Sequence, residues 1–192
     1  MKILLHQCCG PCSIYPIKIL VKANIDVCTY FYNPNIHPFT EFQKRLENAS
    51  KVNKIFDIKE IIVDRYDITS FVRSVAYREE SRCLICYYNR IEKTAIYAKE
   101  GKFDAFTTTL LYSKFQHHNL IKSICIDLSK KFLIDFYYND FREGWAEGIK
   151  LSREYNIYRQ TYCGCIYSEE ERYSGKTQEK KQPTKILMKN YA

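Results

Sequence analysis

Seven of the nine cysteines fall into three tight motifs: Cys8, Cys9 and Cys12 in HQCCGPCS, Cys83 and Cys86 in RCLICYY, and Cys163 and Cys165 in YCGCIY. Dense, near-adjacent thiols in a reduced compartment point to metal or redox chemistry rather than to a disulfide framework. Cys28 and Cys125 stand alone in the apolar settings DVCTYFY and IKSICIDL. They read as small buried hydrophobes, the usual fate of an isolated thiol.

A structural zinc site closes with four ligands, and the clustered thiols exceed that number. Adjacent Cys8 and Cys9, joined by a distant Cys-x-x-Cys, can supply four thiolates to a cubane iron–sulfur cluster. Cys12, Cys163 and Cys165 then remain, to bind a second metal or to cycle between dithiol and disulfide. A Cys-x-Cys disulfide closes a very small ring, so it is strained and readily reduced. The opposite partition, with Cys12 on the cluster and Cys8 or Cys9 on a second metal, satisfies the spacing equally. On the residues alone three readings stand: redox-active iron–sulfur, structural zinc in an RNA-binding module, and metal-free thiol–disulfide chemistry. Gly10 suits a tight turn between the thiols, and Pro11 suits the first turn of a helix. His6 reads either as a strand-end core histidine or as a donor to a sulfur or a substrate.

The elements that must carry these thiols alternate between strand and helix. The runs at 2–6, 26–33, 60–64, 103–110 and 132–138 are short, apolar and rich in β-branched or aromatic residues, which predicts strands. Helical periodicity covers 13–24, with Pro16 expected in or near the first turn. It also covers 38–56 (Phe42, Leu46, Ala49, Val52), 68–77, 83–101, 119–131 and 144–156. This alternation predicts a three-layer α/β/α domain with a mainly parallel sheet of about five strands, plus C-terminal helices. The expected organisation is one catalytic domain over 1–168 and a charged tail over 169–192, loosely packed or partly mobile. In such folds sites form where strand C-termini meet helix N-termini. HQCCGPCS follows the first strand, and Cys83 and Cys86 open a helix. Helix N-termini favour thiolates and cluster sulfur, so three distant segments are expected to converge on one pocket.

The chain has 192 residues, 46% of them apolar, enough for one real core. Its formal net charge is +8, with 17 Tyr and 11 Phe. That balance favours a polyanionic partner such as nucleic acid, against the bland reading of a solvated basic surface. The opening KILLH is too short for the apolar core of a signal peptide, and His6, Gln7 and the thiols interrupt it. The residues before Cys8 do not suit lipid attachment, and no run is long enough to cross a bilayer. A cytoplasmic protein without membrane contact is expected.

HQCCGPCS, RCLICYYNRI, FTTTLLYSKFQ and YRQTYCGCIYS, in this order and spacing, together resemble the cobalamin-independent epoxyqueuosine reductases (QueH type). The resemblance runs from Met1 to about Ser168. It implies two-electron reduction of an epoxide on a modified tRNA base, epoxyqueuosine becoming queuosine at the wobble position. It places a [4Fe-4S] cluster on Cys8, Cys9, Cys83 and Cys86. Cys163 and Cys165, with Cys12, become the redox-active pair or the ligands of an adjacent metal, for instance a mononuclear iron. The implied partners are tRNA carrying epoxyqueuosine and an unidentified electron donor. The implied fold is related to nucleotide-binding, HUP-like α/β domains. An ATP-dependent tRNA thiolase of that architecture would carry an SGGxDS-like loop after the first strand. Here that slot holds HQCCGPCS, so a phosphate cradle has become a thiolate slot. After TTTLLYS the chain has KFQHH where the family pattern leads one to expect a Pro- or His-containing, Lys-bearing stretch, so the resemblance assigns no ligand role to Lys114, Gln116 or His117. Tyr87, Tyr88, Tyr112 and Tyr162 are candidates for stacking or proton delivery, or plain packing. Arg82, Arg90, Arg142, Arg153 and Arg159 are candidates for phosphate contact, or plain surface charge.

Overall fold

The computed structural model describes residues 1–174. Five parallel strands form one sheet in the order β3-β2-β1-β4-β5. They are β1 (Lys2–His6), β2 (Asp26–Phe31), β3 (Lys59–Ile62), β4 (Ala105–Thr108) and β5 (Asp135–Phe136). The central strand β1 is apolar without alternation because both its faces are covered: Ile3, Leu4 and Leu5 are wholly buried.

Helices α1 (Gly10–Lys22), α2 (Phe39–Ile55) and α6 (Trp145–Glu154) pack together, as do α4 (Arg82–Glu100) and α5 (His118–Phe132). Right-handed crossovers place these two groups on opposite faces of the sheet, giving the expected three layers. Two shorter helices complete the described chain, α3 (Ile68–Val75) and α7 (Ile166–Tyr173). Strand order reverses between β1 and β4, so the crevice beyond their C-terminal ends is the switch point of the sheet. Residues 7–9 leave β1 there, and Thr109 leaves β4.

Several local expectations are corrected. The fifth strand keeps only Asp135 and Phe136 of the expected 132–138. Phe132 belongs to α5, which ends at Leu133 in the left-handed region (φ 51°). The fourth strand stops at Thr108, whose hydroxyl accepts the Leu110 N–H (3.1 Å) and starts a 3-10 turn, Thr109–Leu111. Pro16 lies inside α1, past its first turn, and so denies an N–H to the carbonyl of Cys12. The helix tolerates this because Ile14, Ile17 and Leu20 are fully buried beneath it. Gly10 serves close approach rather than a turn. It opens α1, and a Cβ there would sit 2.6 Å from the Asn48 carbonyl oxygen and 2.8 Å from Ile157 Cγ2.

Helix α7 runs through the expected 168/169 boundary, so Glu169–Tyr173 are helical. The rest of the expected loose tail, 175–192, lies outside the described residues. Among the described residues no helix is long and apolar enough to cross a membrane. Cys28 and Cys125 are buried, as expected for isolated thiols.

Candidate functional site

Where β1 ends, the backbone turns through Cys8 and enters α1 with Cys9, in extended conformation, as N-cap. No acidic residue lies in the first turn of α1, so the positive end of the helix faces the thiols unopposed. The sulfurs of Cys8, Cys9 and Cys12 lie within 4.8 Å of one another. Cys8 Sγ is 3.7 Å from Cys9 Sγ. The Thr109 hydroxyl accepts the Cys8 N–H (3.0 Å) and donates to Cys8 Sγ (3.2 Å), stitching β4 to β1 across the switch point. Gln160 Nε2 reaches Cys9 Sγ (2.9 Å) and Cys12 Sγ (3.8 Å).

Hydrogen bonds from Cys12, Cys9 and Thr109, opposed by burial, hold the Cys8 thiol well below its usual range. Burial pushes Cys9 up, and Cys8 pushes Cys12 up as hydrogen-bond partner and neighbouring charge. The trio thus favours negative charge at Cys8 over Cys9 and Cys12. This trio is the donor set of a candidate metal site.

A second group lies across α4. Cys83, Cys86, Tyr87 and Arg90 recur at helical spacing, on one stripe of that helix. Cys83 and Cys86 are each in electrostatic range of Cys163 and Cys165. Burial pushes the Cys83 thiol up and the Cys86 thiol up to about 12. Cys165 is buried with Phe71 and Val75, against Ile85, Cys86 and Tyr167, while Cys163 is exposed. Gln116 Nε2 donates to Cys163 Sγ (3.3 Å), and its Oε1 accepts from the Tyr87 hydroxyl (2.7 Å). The Arg90 guanidinium is in range of Cys86, Cys163 and Cys8, and so links the two groups electrostatically.

The YCGC turn is held from outside. Arg45 of α2 is buried, pairs with Glu41 (2.7 Å), and donates to the carbonyls of Cys163 (2.6 Å) and Tyr162 (3.0 Å). The Glu41 carboxylate also accepts from the Tyr158 hydroxyl (2.7 Å), and Asn48 Oδ1 accepts the Tyr158 N–H (2.8 Å). Gly164 accepts the His37 N–H at its carbonyl (2.8 Å) and has φ +146°. That region is open to glycine and strained for other residues. Gly164→Ala is therefore expected to lower stability by about 1–3 kcal/mol, read as a lower urea midpoint at unchanged slope. A midpoint equal to wild type would show that the turn relaxes freely.

The remaining candidates sort by their partners. His6 is fully buried, and its Nε2 lies 3.2 Å from the Tyr32 carbonyl. A carbonyl only accepts, so Nε2 carries the proton and Nδ1 accepts from the Thr108 hydroxyl (2.9 Å). Burial, reinforced by Arg90, holds His6 down at about 4; the core reading of this residue stands. Tyr87 and Tyr112 are buried, and Tyr112 donates to the Trp145 carbonyl (3.2 Å). Tyr88 bonds Glu92, and Tyr162 bonds the His37 carbonyl (2.5 Å). Arg82 pairs with Glu171 and Arg142 with Asp140, whereas Arg153 and Arg159 are exposed. Sequence reasoning missed Arg45, Thr109 and Gln160. Gln160 sits inside the quoted YRQTYCGC stretch, which was the available signal; Arg45 reads as an ordinary helix cation.

A parallel α/β domain of nucleotide-binding architecture, with thiols at its switch point in place of a phosphate-cradling loop, defines a thiol-based metal or redox protein. Residues 3–171 match the family model "Epoxyqueuosine reductase QueH". Relatives bearing the name epoxyqueuosine reductase QueH include one from Dehalococcoides mccartyi, 35% identical over 90% of this chain and 94% of its own length. Another, from Thermotoga maritima, is 34% identical over 88% of this chain and 91% of its own. The chain belongs to the epoxyqueuosine reductase QueH family and is an oxidoreductase. In fold it is similar to a predicted tRNA methyltransferase subunit from Methanocaldococcus jannaschii. That match has a TM-score of 0.54 at 14% identity, over 81% of this chain and 88% of that one.

Proposed function

We propose that this chain reduces epoxyqueuosine to queuosine at the wobble position of tRNA, the last step of queuosine biosynthesis, in the cytoplasm. One observation carries the reading. Two groups of thiols, Cys8/Cys9/Cys12 and Cys83/Cys86/Cys163/Cys165, each bring members into electrostatic range of one buried cation, Arg90: Cys8 from the first, Cys83, Cys86 and Cys163 from the second. Together they exceed the four ligands of a structural zinc site.

The donors fit an iron–sulfur cluster in kind: the Cys8, Cys9 and Cys12 sulfurs lie together, all thiol, at a helix N-terminus. In this reading Cys8, Cys9, Cys83 and Cys86 hold a [4Fe-4S] cluster. Cys163 and Cys165, with Cys12 nearby, are the second redox pair or hold an additional mononuclear iron. When bound, such a cluster supplies electrons one at a time.

The chain's own residues supply the rest. Oxidation of Cys163 and Cys165 to one disulfide releases two electrons and two protons. Breaking both epoxide C–O bonds, forming the ring C=C bond and releasing water consumes the same two electrons and two protons. An external reductant then restores the dithiol. Cys163 is exposed, so both the substrate and that reductant can reach it. Arg45 and Gly164 hold the pair at the mouth of the site. A wobble base, unstacked in its loop, is the kind of RNA base a protein pocket can take in.

The direct test is iron and sulfide analysis on anaerobically purified protein, followed by turnover on tRNA from cells blocked at this step. A colourless, zinc-loaded protein would favour the RNA-binding alternative, and a metal-free active one a pure thiol enzyme. Binding of substrate tRNA should also weaken steeply with salt, log K falling by nearly one unit per log salt for each phosphate neutralised. Salt-insensitive binding would count against tRNA as partner.

A further inference from the structure

Arg90 is 3% exposed, yet no carboxylate lies within ion-pair distance of it among the described residues. Its Nε donates to the Cys86 carbonyl (3.1 Å), and its Nη2 is buried with no hydrogen-bond partner. The Tyr87 ring lies 5.8 Å from the guanidinium carbon. Its ionisable neighbours include Cys86, Cys163, Cys8 and Tyr87, with Cys83 and the neutral His6 also in range. The other arginine buried to this degree among the described residues, Arg45, has Glu41 as its anion. A buried guanidinium left without a counter-charge is costly. Its persistence on the thiol stripe of α4 means that the missing anion belongs in the thiol site.

We infer that Arg90 is a positioning residue that supplies the counter-charge for the thiolate-ligated centre and favours its reduced state. The inference rests on the reading above that the thiols hold an iron–sulfur cluster. Four thiolates on a [4Fe-4S] core carry net negative charge in either redox state, and reduction adds one more. A fixed cation beside Cys8 and Cys86 stabilises the more negative state, so it raises the potential at which the cluster accepts an electron.

The test uses the full chain, purified anaerobically, as wild type, Arg90→Gln and Arg90→Lys. Redox titration followed by the reduced cluster's spin-resonance signal is the readout. Arg90→Gln is expected to shift the potential to more negative values, and Arg90→Lys, which keeps the charge, to restore most of the shift. Chelator-stripped Arg90→Gln should melt no lower than stripped wild type, because an unpaired buried charge has been removed. A merely structural arginine predicts the reverse. An Arg90→Gln potential equal to wild type would overturn the inference. If Arg90→Gln loses the cluster, retention by Arg90→Lys supports it and loss by both overturns it. Wild-type protein without iron and sulfide would instead sink the cluster reading itself, and this inference with it.

Discussion

Cys163→Ser and Cys165→Ser are each expected to keep the iron and sulfide content of wild type while turnover falls at least about a thousandfold, as when one member of a catalytic unit is removed. Serine is nearly isosteric with cysteine but forms no disulfide and is a poor metal ligand. The exchange therefore removes the chemistry and leaves the turn. Cys163 is exposed, so its replacement costs no packing. Cys165 is buried, with Sγ 3.5 Å from the Ser168 hydroxyl, and a serine hydroxyl can use the same neighbour. The Arg45 clamp grips the carbonyls of Tyr162 and Cys163, which no side-chain exchange at 163 or 165 removes. Release of iron from either variant would move that residue into the cluster's ligand set. Undiminished turnover in both would make YCGC a structural turn and send the search for a second centre to Cys12.

Cys8→Ala, Cys9→Ala, Cys83→Ala and Cys86→Ala are each expected to lose iron and sulfide almost completely, with loss of turnover as a consequence. Apart from Cys12, the polar groups touching the Cys8 and Cys9 sulfurs are the Thr109 hydroxyl and the Gln160 amide, and neither replaces a thiolate. The Cys12→Ala variant sharpens the experiment. Cys12 shares its pocket with Cys8 and Cys9, and in this partition it is not a cluster ligand, so Cys12→Ala should stay brown. A colourless Cys12→Ala beside a brown variant at any of the four would exchange the two assignments. Far-ultraviolet dichroism of each stripped protein separates ligand loss from unfolding.

The helix and strand order was legible because it rests on periodicity. β1 is a continuous apolar run, α2 carries Phe42, Leu46, Ala49 and Val52 on one buried stripe, and both patterns survive in any tertiary context. The edges were less legible. β5 shrank to two residues because an edge strand pairs on one side only, and Phe132 was worth more to α5. Pro16 lies deeper in α1 than a propensity argument allows, because burial of the neighbouring aliphatic residues outweighs one lost hydrogen bond.

By itself the sequence determined that the site is built on thiols, in numbers beyond a zinc site, placed after a strand and at helix starts, with no glycine loop for phosphate. Local spacing suffices for that, since covalent neighbours cannot be separated by folding. Only the tertiary structure decided which thiols share a neighbourhood and which polar groups tend them. It brought Gln116 to Cys163 and Gln160 to Cys9, locked the YCGC turn with an arginine from α2, and buried Arg90 in electrostatic range of Cys8, Cys86 and Cys163. The hydrogen bonds join residues 47 to 151 positions apart in the chain, and the burial of Arg90 depends on which face of α4 is sealed from water. Sequence distance carries no record of either. The sheet's strand order and the packing of its two helical layers create both.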